Sequence, residues 1–313
     1  MTRLLTRTDL EAVLEPAACI DTLRDGFRTA PGAAVAGRRI RTDLPFPGTA
    51  TALLPGVLPG IKAYTVKVNA KFPGARPALR GVICLHSGDD GELLALLDSA
   101  TVTAWRTGLA AALGTHVLTR PADDGVLGVI GAGAQAELVV RGLRTLGHGG
   151  ELVVHDTDPV RAAAFAGRHH GRVLASARQV ARAADVVLLA TWSRAPLLGL
   201  ADTRPGQHLT SLGADEPGKQ ELAADLLEAA LLVVDDRDLA SESGVSASAG
   251  LPENAVDATL GEVLDGTHPG RTAPVLRSVY APVGLPWQDL ALAWLAYHEA
   301  RRRDIGRRID LLA

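Results

Sequence analysis

Short apolar runs alternate with helical patterns over the second half of the chain. GVLGVIG (125–131) precedes the helical stretch AQAELVVRGLRTLG, ELVVHD (151–156) precedes DPVRAAAFAGRHH, and RVLAS precedes SARQVARAA. DVVLLAT (185–191), HLTSLG (208–213) and LLVVDD (231–236) continue the series, with the helical ELAADLLEAA before the last. Apolar strands separated by helices predict an α/β fold with a parallel, doubly wound sheet. Parallel neighbours need a crossover, and the crossovers cover both faces.

The first 118 residues read differently. Thr8-Asp9-Leu10-Glu11 resembles a capping box that opens a helix into LEAVLEPAACIDTLRDGF. Segments rich in Gly, Pro and Thr follow, then the strand-like IKAYTVKV and GVICLHS, with GDDGE (88–92) as a hairpin turn before LLALLD. The helical stretch ATVTAWRTGLAAALGTHVL leads into the alternating region. WQDLALAWLAYHEARRRDI reads as an amphipathic helix that returns to the N-terminal part. The expected division is a discontinuous α+β domain of residues 1–118 and 286–313 beside a parallel-sheet domain of residues 119–285.

Composition narrows the function classes. With 47% hydrophobic and 21% charged residues, the 313-residue chain suits two globular domains and not a disordered protein. Its 32 basic and 35 acidic residues are dispersed, and without a basic block nucleic acid is not an expected partner. No apolar run reaches the ~18 residues of a membrane helix. The opening MTRLLTRTDLEAVL lacks the apolar core of a signal peptide, so the expectation is a soluble, cytoplasmic protein with no membrane partner. Cys19 and Cys84 stand far apart without metal-ligand spacing, which suits two buried thiols in a reducing compartment and no metal site.

Candidate chemistry begins at Gly131-Ala132-Gly133-Ala134-Gln135-Ala136, which follows one strand and opens one helix. Gly131 permits the tight turn, Gly133 lets a pyrophosphate approach the backbone, and Ala136 keeps helix and strand close. The phosphates would rest on the helix N-terminus, over Ala134 and Gln135. Asp156 ends the next strand, in reach of an adenosine ribose hydroxyl. Thr157-Asp158-Pro159 offers no arginine for a 2′-phosphate, so NAD is favoured over NADP; Asp156 could instead cap the following helix. Thr191 ends the fourth strand, where such sheets hold their ligands, so it either meets the cofactor or forms a plain turn.

A dinucleotide fold names a cofactor and not a reaction. The N-terminal half offers three cations, Arg41 in GRRIRTDLP, Lys67 in YTVKVNAKFP and Arg106 in TVTAWRTGLAA. Singly, each would pass for a solvated surface charge. Arg106 and Thr107, however, fall on an otherwise apolar helix, where a guanidinium is costly unless it meets an anion.

RTDLP, the lysine of YTVKV, ALLDSATVTAWRTGLAAALGT, VIGAGAQA, GADEPGKQE and GLPWQDLALA occur in one order along nearly the whole chain. In this the sequence resembles the ornithine cyclodeaminase/mu-crystallin family. The resemblance implies a Rossmann domain beside a discontinuous substrate-binding and dimerisation domain, a homodimer, and chemistry on amino or imino acids with NAD(P). It further implies that Arg41 and Arg106 hold a substrate carboxylate, that Lys67 lies near the reacting amino or imino group, and that Thr107 meets cofactor phosphate. Asp215 matches the catalytic aspartate of the cyclodeaminases and related alanine dehydrogenases, Lys219 falls near the cofactor, and Glu216 has no matched role and reads as solvated.

Two departures bear on the substrate. Thr51-Ala52-Leu53-Leu54-Pro55 has Ala52 where ornithine cyclodeaminases have the glutamate that receives a distal amine. Tyr280-Ala281-Pro282-Val283-Gly284 replaces a Lys-Ser pair, so a hydroxyl contact is missing at Pro282. The resemblance therefore implies an NAD(H)-dependent oxidoreductase that interconverts a small α-amino acid and its 2-oxo acid or imine. The alternative is an ornithine cyclodeaminase-type lyase that uses NAD catalytically. A binding protein that keeps the cofactor site without turnover is disfavoured by the intact Arg41, Lys67, Arg106 and Asp215.

Overall fold

A computed structural model describes residues 1–30, 40–46, 50–72, 75, 78–119, 125–214, 218–311 and 313; of Arg41, Ala50 and Glu253 it describes the backbone alone. The chain divides into two compact units, Met1–Thr107 with Leu285–Ala313, and Gly108–Gly284. The first boundary falls inside a single helix, Ser99–Leu118.

The first unit holds a seven-stranded sheet in the order Arg307–Ile309, Thr2–Leu5, Leu93–Asp98, Leu79–Ser87, Ala63–Lys71, Ala50–Gly56, Ile40–Asp43. All pairs are antiparallel except Thr2–Leu5 with Leu93–Asp98. Along Ala63–Lys71 the side chains alternate, as the period of two requires: Ala63, Thr65, Lys67 and Asn69 are buried. Pro286–Arg302 packs on that inner face. Its first two turns are enclosed all round, with every residue from Trp287 to Ala293 buried, so it is a core helix and not the expected amphipathic one. Trp287 meets Phe27 edge-on at 5.0 Å and takes the space a side chain at Gly26 would need.

The N-terminal helix is capped two residues earlier than expected, at Thr6 instead of Thr8. The capping box is Thr6 with Asp9, whose side chains and amides bond reciprocally, and Pro16 breaks the expected single helix into Arg7–Val13 and Pro16–Thr29.

On the outer face of this sheet the register aligns apolar residues. Ile40, Leu53, Val68 and Val82 form one cross-strand row, and Pro55, Val66, Cys84 and Leu96 form the next. Ile40, Leu53 and Val68 are 60%, 40% and 37% exposed, although each sits on a strand.

The second unit is an eight-stranded parallel sheet, ordered Ala258–Thr259, Leu231–Val234, Ser278–Tyr280, His208–Ser211, Val186–Leu189, Leu127–Ile130, Leu152–His155, Arg172–Val173. Alternate residues feed two cores. Val129, Val154 and Leu188 pack with the helix Ala134–Thr145, while Ile130, Val153 and Val187 pack on the other face. Both faces are covered, which is why these strands read as unbroken apolar runs. Ser278–Tyr280 escaped the sequence reading, being three residues long, yet it lies inside the sheet. No helix among the described residues is long and apolar enough to cross a membrane.

Candidate active site

In the parallel-sheet unit the strand order runs both ways from Leu127–Ile130, leaving a switch point between it and Val186–Leu189. Ligands of such sheets bind there, beyond the strand C-termini. Gly131 sits at that point with φ +93°, and a side chain on it would strike the carbonyl of Ala190 and the methyl of Thr191. Gly133 is the N-cap of the next helix, has no side-chain cap, and would point a Cβ into open space. Gly133 and Ala134 are exposed, Gln135 is half-buried and Ala136 is wholly buried. An open helix N-terminus with uncapped amides fits the pyrophosphate of a dinucleotide.

Asp156, at the end of Leu152–His155, turns back onto this loop. Its carboxylate accepts the Ala132 amide at 2.8 Å, the Asp158 amide at 2.9 Å, and Nε and Nη2 of Arg161, both at 2.9 Å. Burial pushes the carboxyl up, but the Arg161 fork and the two amides outweigh it and hold it below the usual carboxylate range. The capping alternative goes to Asp158, which accepts from the amides of Val160 and Arg161. The absence of an arginine in Thr157-Asp158-Pro159 is therefore not the whole picture. The first turn of Pro159–His169 swings Arg161 back onto Asp156, five positions away in sequence.

Thr191 lies beside Gly131, and its groups are largely committed. Its amide and hydroxyl donate to Glu221 at 2.6 and 2.7 Å, and the hydroxyl accepts from the Ser193 amide at 3.2 Å. Glu221 also accepts from the Ser211 hydroxyl at 2.7 Å and the Gly213 amide at 2.8 Å. Wholly buried, it has its carboxyl pushed up by burial against the pull of these four donors. Glu221 is not apparent from the sequence because its partners, Thr191, Ser211 and Gly213, meet it only through the fold. Asp215 and Glu216 themselves lie outside the described residues. Lys219 places its ammonium 5.4 Å from the centroid of the Trp192 ring.

The doubtful Tyr280–Gly284 stretch has a different tie. The amides of Val283 and Gly284 donate to Asp235 at 2.9 and 2.6 Å. Burial raises the Asp235 carboxyl to about 6 despite these bonds.

In the antiparallel-sheet unit, Lys67 and Arg106 come together around a residue the sequence reading did not single out. Asp289 Oδ2 accepts from Lys67 Nζ at 2.5 Å, and Asp289 Oδ1 stands 3.5 Å from Arg106 Nε. The three side chains are 2%, 8% and 2% exposed for Lys67, Arg106 and Asp289. Lys67 also reaches the Thr103 hydroxyl at 3.4 Å, and Arg106 Nη1 reaches Gln288 Oε1 at 3.4 Å. Two adjacent polar residues in the enclosed turns of a core helix were the available signal. The Arg41 backbone pairs with Ala52, which pairs in turn with Asn69; the Arg41 side chain lies outside the described set. Thr107 is half-buried and directly follows Arg106 on the helix Ser99–Leu118.

These two constellations accompany a match over residues 2–304 to the ornithine cyclodeaminase/mu-crystallin family. The chain is 33% identical over 240 residues to an alanine dehydrogenase of Archaeoglobus fulgidus, covering 74% of each chain. It is 31% identical over 253 residues to the ketimine reductase mu-crystallin of Mus musculus, covering 77% of this chain and 79% of the relative. Among solved structures it resembles an archaeal alanine dehydrogenase dimer with bound NAD, with a TM-score of 0.92, 28% identity and 99% of each chain covered. The chain belongs to the ornithine cyclodeaminase/mu-crystallin family.

Proposed function

We propose that this protein is an NAD(H)-dependent oxidoreductase that interconverts a small α-amino acid and its 2-oxo acid or imine. The observation that supports this best is the buried cluster of Lys67 and Arg106, two cations withdrawn from water that share one carboxylate, Asp289, among the described residues. Such an arrangement is costly unless an anion completes it, and a substrate carboxylate is the anion that suits it. When bound, NAD(H) supplies or accepts the hydride at the α-carbon.

The residues of this chain then have separable tasks. Arg106, with Arg41, holds the substrate carboxylate and so fixes which face of the α-carbon is presented. Lys67 stands by the amino or imino nitrogen. Asp215 moves the proton that must leave or reach that nitrogen or an attacking water. Gly131, Gly133, Ala134 and Gln135 receive the pyrophosphate, Thr107 and Lys219 add contacts to the cofactor, and Thr191 borders its nicotinamide end. Asp156 accepts the adenosine ribose hydroxyls, which favours NAD.

The relatives named as an alanine dehydrogenase and a ketimine reductase are consistent with this class of substrate. The cyclodeaminase alternative loses support at Ala52, which stands across the strand pair from Arg41 and can offer no carboxylate to a distal ammonium. A homodimer is part of the proposal. The two in-register apolar rows on the outer face suit a second copy of the same sheet, and one solved relative is described as a dimer. Neither cysteine is in a disulfide, which fits the cytoplasmic setting expected from the sequence.

The test is an NADH-oxidation assay with pyruvate plus ammonia, and separately with cyclic ketimines. Stoichiometric loss of NADH supports the proposal. Conversion of ornithine to proline with no net change in NADH would replace it by the lyase.

A further inference from the structure

Asp289 stands in the first turn of Pro286–Arg302, and its side chain is 2% exposed. A carboxylate so placed is strongly disfavoured unless it is paired. Its pairing is uneven. Oδ2 makes a firm bond to Lys67, while Oδ1 lies 3.5 Å from Arg106 Nε, and neither of those last two atoms has a hydrogen-bond partner among the described residues. Lys67 comes from the strand Ala63–Lys71 and Arg106 from the helix Ser99–Leu118, so one carboxylate on a third element faces both cations.

This asymmetry has a chemical use. Lys67 is fixed by a short charge-assisted bond, which sets where its ammonium points. Arg106 is held to Asp289 by charge without a hydrogen bond, and its Nη1 contact to Gln288 Oε1 is long at 3.4 Å, so its fork can turn to an anion at the cost of one weak bond. Among the described residues two cations face one carboxylate, an excess of positive charge that suits a substrate carboxylate.

We infer that Asp289 is a positioning residue for the reaction, acting through Lys67 and Arg106 and not on the substrate itself. The inference rests on the proposed roles of those two cations. Removing the charge with Asp289→Asn leaves two buried cations facing each other. Arg106 then attracts a carboxylate at least as well as before, while Lys67 loses the partner that orients it.

The expected result for Asp289→Asn is a fall in kcat of about 100-fold, the scale of a reacting group misplaced by about 1 Å. KM for the carboxylate substrate stays unchanged or falls. Asp289→Glu restores the charge and is expected to recover about ten-fold of the lost kcat, consistent with a charge-assisted contact in place of a missing one. A rise in KM with kcat preserved, or no recovery with glutamate, overturns the inference.

A second measurement covers the case in which Asp289→Asn fails to fold. In a urea-denaturation cycle, Lys67→Met combined with Asp289→Asn is expected to be more stable than Asp289→Asn alone, because one of the two buried cations facing each other is gone. Equal instability of the single and double variants reduces Asp289 to packing and overturns the inference. This cycle needs no turnover, so its failure is distinct from a wild-type protein that oxidises no NADH, which would instead remove the oxidoreductase reading.

Discussion

Glu221 accepts both the amide and the hydroxyl of Thr191, at 2.6 and 2.7 Å, and so ties the end of Val186–Leu189 to the start of Gln220–Leu222. The same carboxylate holds Ser211 and Gly213 at the end of the neighbouring strand. Two parallel strands leave the sheet beside the glycine loop, and one buried acid secures both exits.

Glu221→Gln turns an acceptor-only group into one that presents an NH₂ to either Thr191 or Gly213. One backbone amide then faces a donor inside the protein. Stability is expected to fall by about 1–3 kcal/mol, the cost of a buried unsatisfied polar group, in urea unfolding followed by circular dichroism.

The Asp156–Arg161 fork bears on the choice of cofactor. A lone aspartate repels a 2′-phosphate, but here a guanidinium lies on the same carboxylate and 48% of its side chain is exposed. Arg161→Ala is expected to weaken NADPH binding about ten-fold or more and NADH binding much less, on the scale of a lost charge-assisted contact to phosphate. Fluorescence titration of the two reduced cofactors reads the ratio directly. An unchanged ratio would mean that Arg161 serves only to fix Asp156.

The outer face of the antiparallel sheet carries the dimer expectation. Leu53 and Val68 are direct cross-strand neighbours in the middle of its apolar row. Leu53→Lys with Val68→Asp puts charge there without touching the inner face. Sedimentation or light scattering is expected to show the mass halved to that of a monomer, with NADH binding retained.

Two buried groups in the parallel-sheet unit oppose each other in their pH dependence. Asp235 is raised by burial from 3.8 to about 6, so its protonated form is favoured by the fold and stability falls as pH rises through that window. His208 is lowered from 6.5 to about 3, first by burial and then by Arg271 and His148, so its neutral form is favoured and stability falls as pH drops below 6.5. Each contributes a slope approaching about 1.4 kcal/mol per pH unit, with opposite sign. Relative to wild type, Asp235→Asn is expected to steepen the loss of stability on acidification. His208→Gln should give the reverse, relieving that loss. Urea midpoints measured across the acid range, taken as variant minus wild type, check both signs.

The parallel sheet was legible because strands buried on both faces must be apolar throughout, and the glycine loop was legible because only glycine tolerates the backbone at Gly131. Arg106 was legible as a cation on an apolar helix, and Lys67 through the family resemblance. Their counter-ion was not, since Asp289 lies 222 residues from Lys67 in sequence and joins it only through the packing of the last helix. Arg161 and Glu221 were missed for a related reason. Each acts on a neighbour that the fold brings back, a helical turn in one case and a strand return in the other. Asp215, read from family resemblance, lies outside the described residues, so its place rests on its sequence position and on chemistry.

The proton-transfer role of Asp215 at the centre of an NADH-linked reaction is therefore the claim to test first. Wild-type protein given NADH with pyruvate and ammonia, or with a cyclic ketimine, is expected to consume NADH in proportion to the amino acid formed. Asp215→Asn is expected to bind NADH with nearly unchanged affinity while losing that turnover. Turnover surviving in Asp215→Asn, or ornithine converted to proline by the wild type with NADH unchanged, would contradict it.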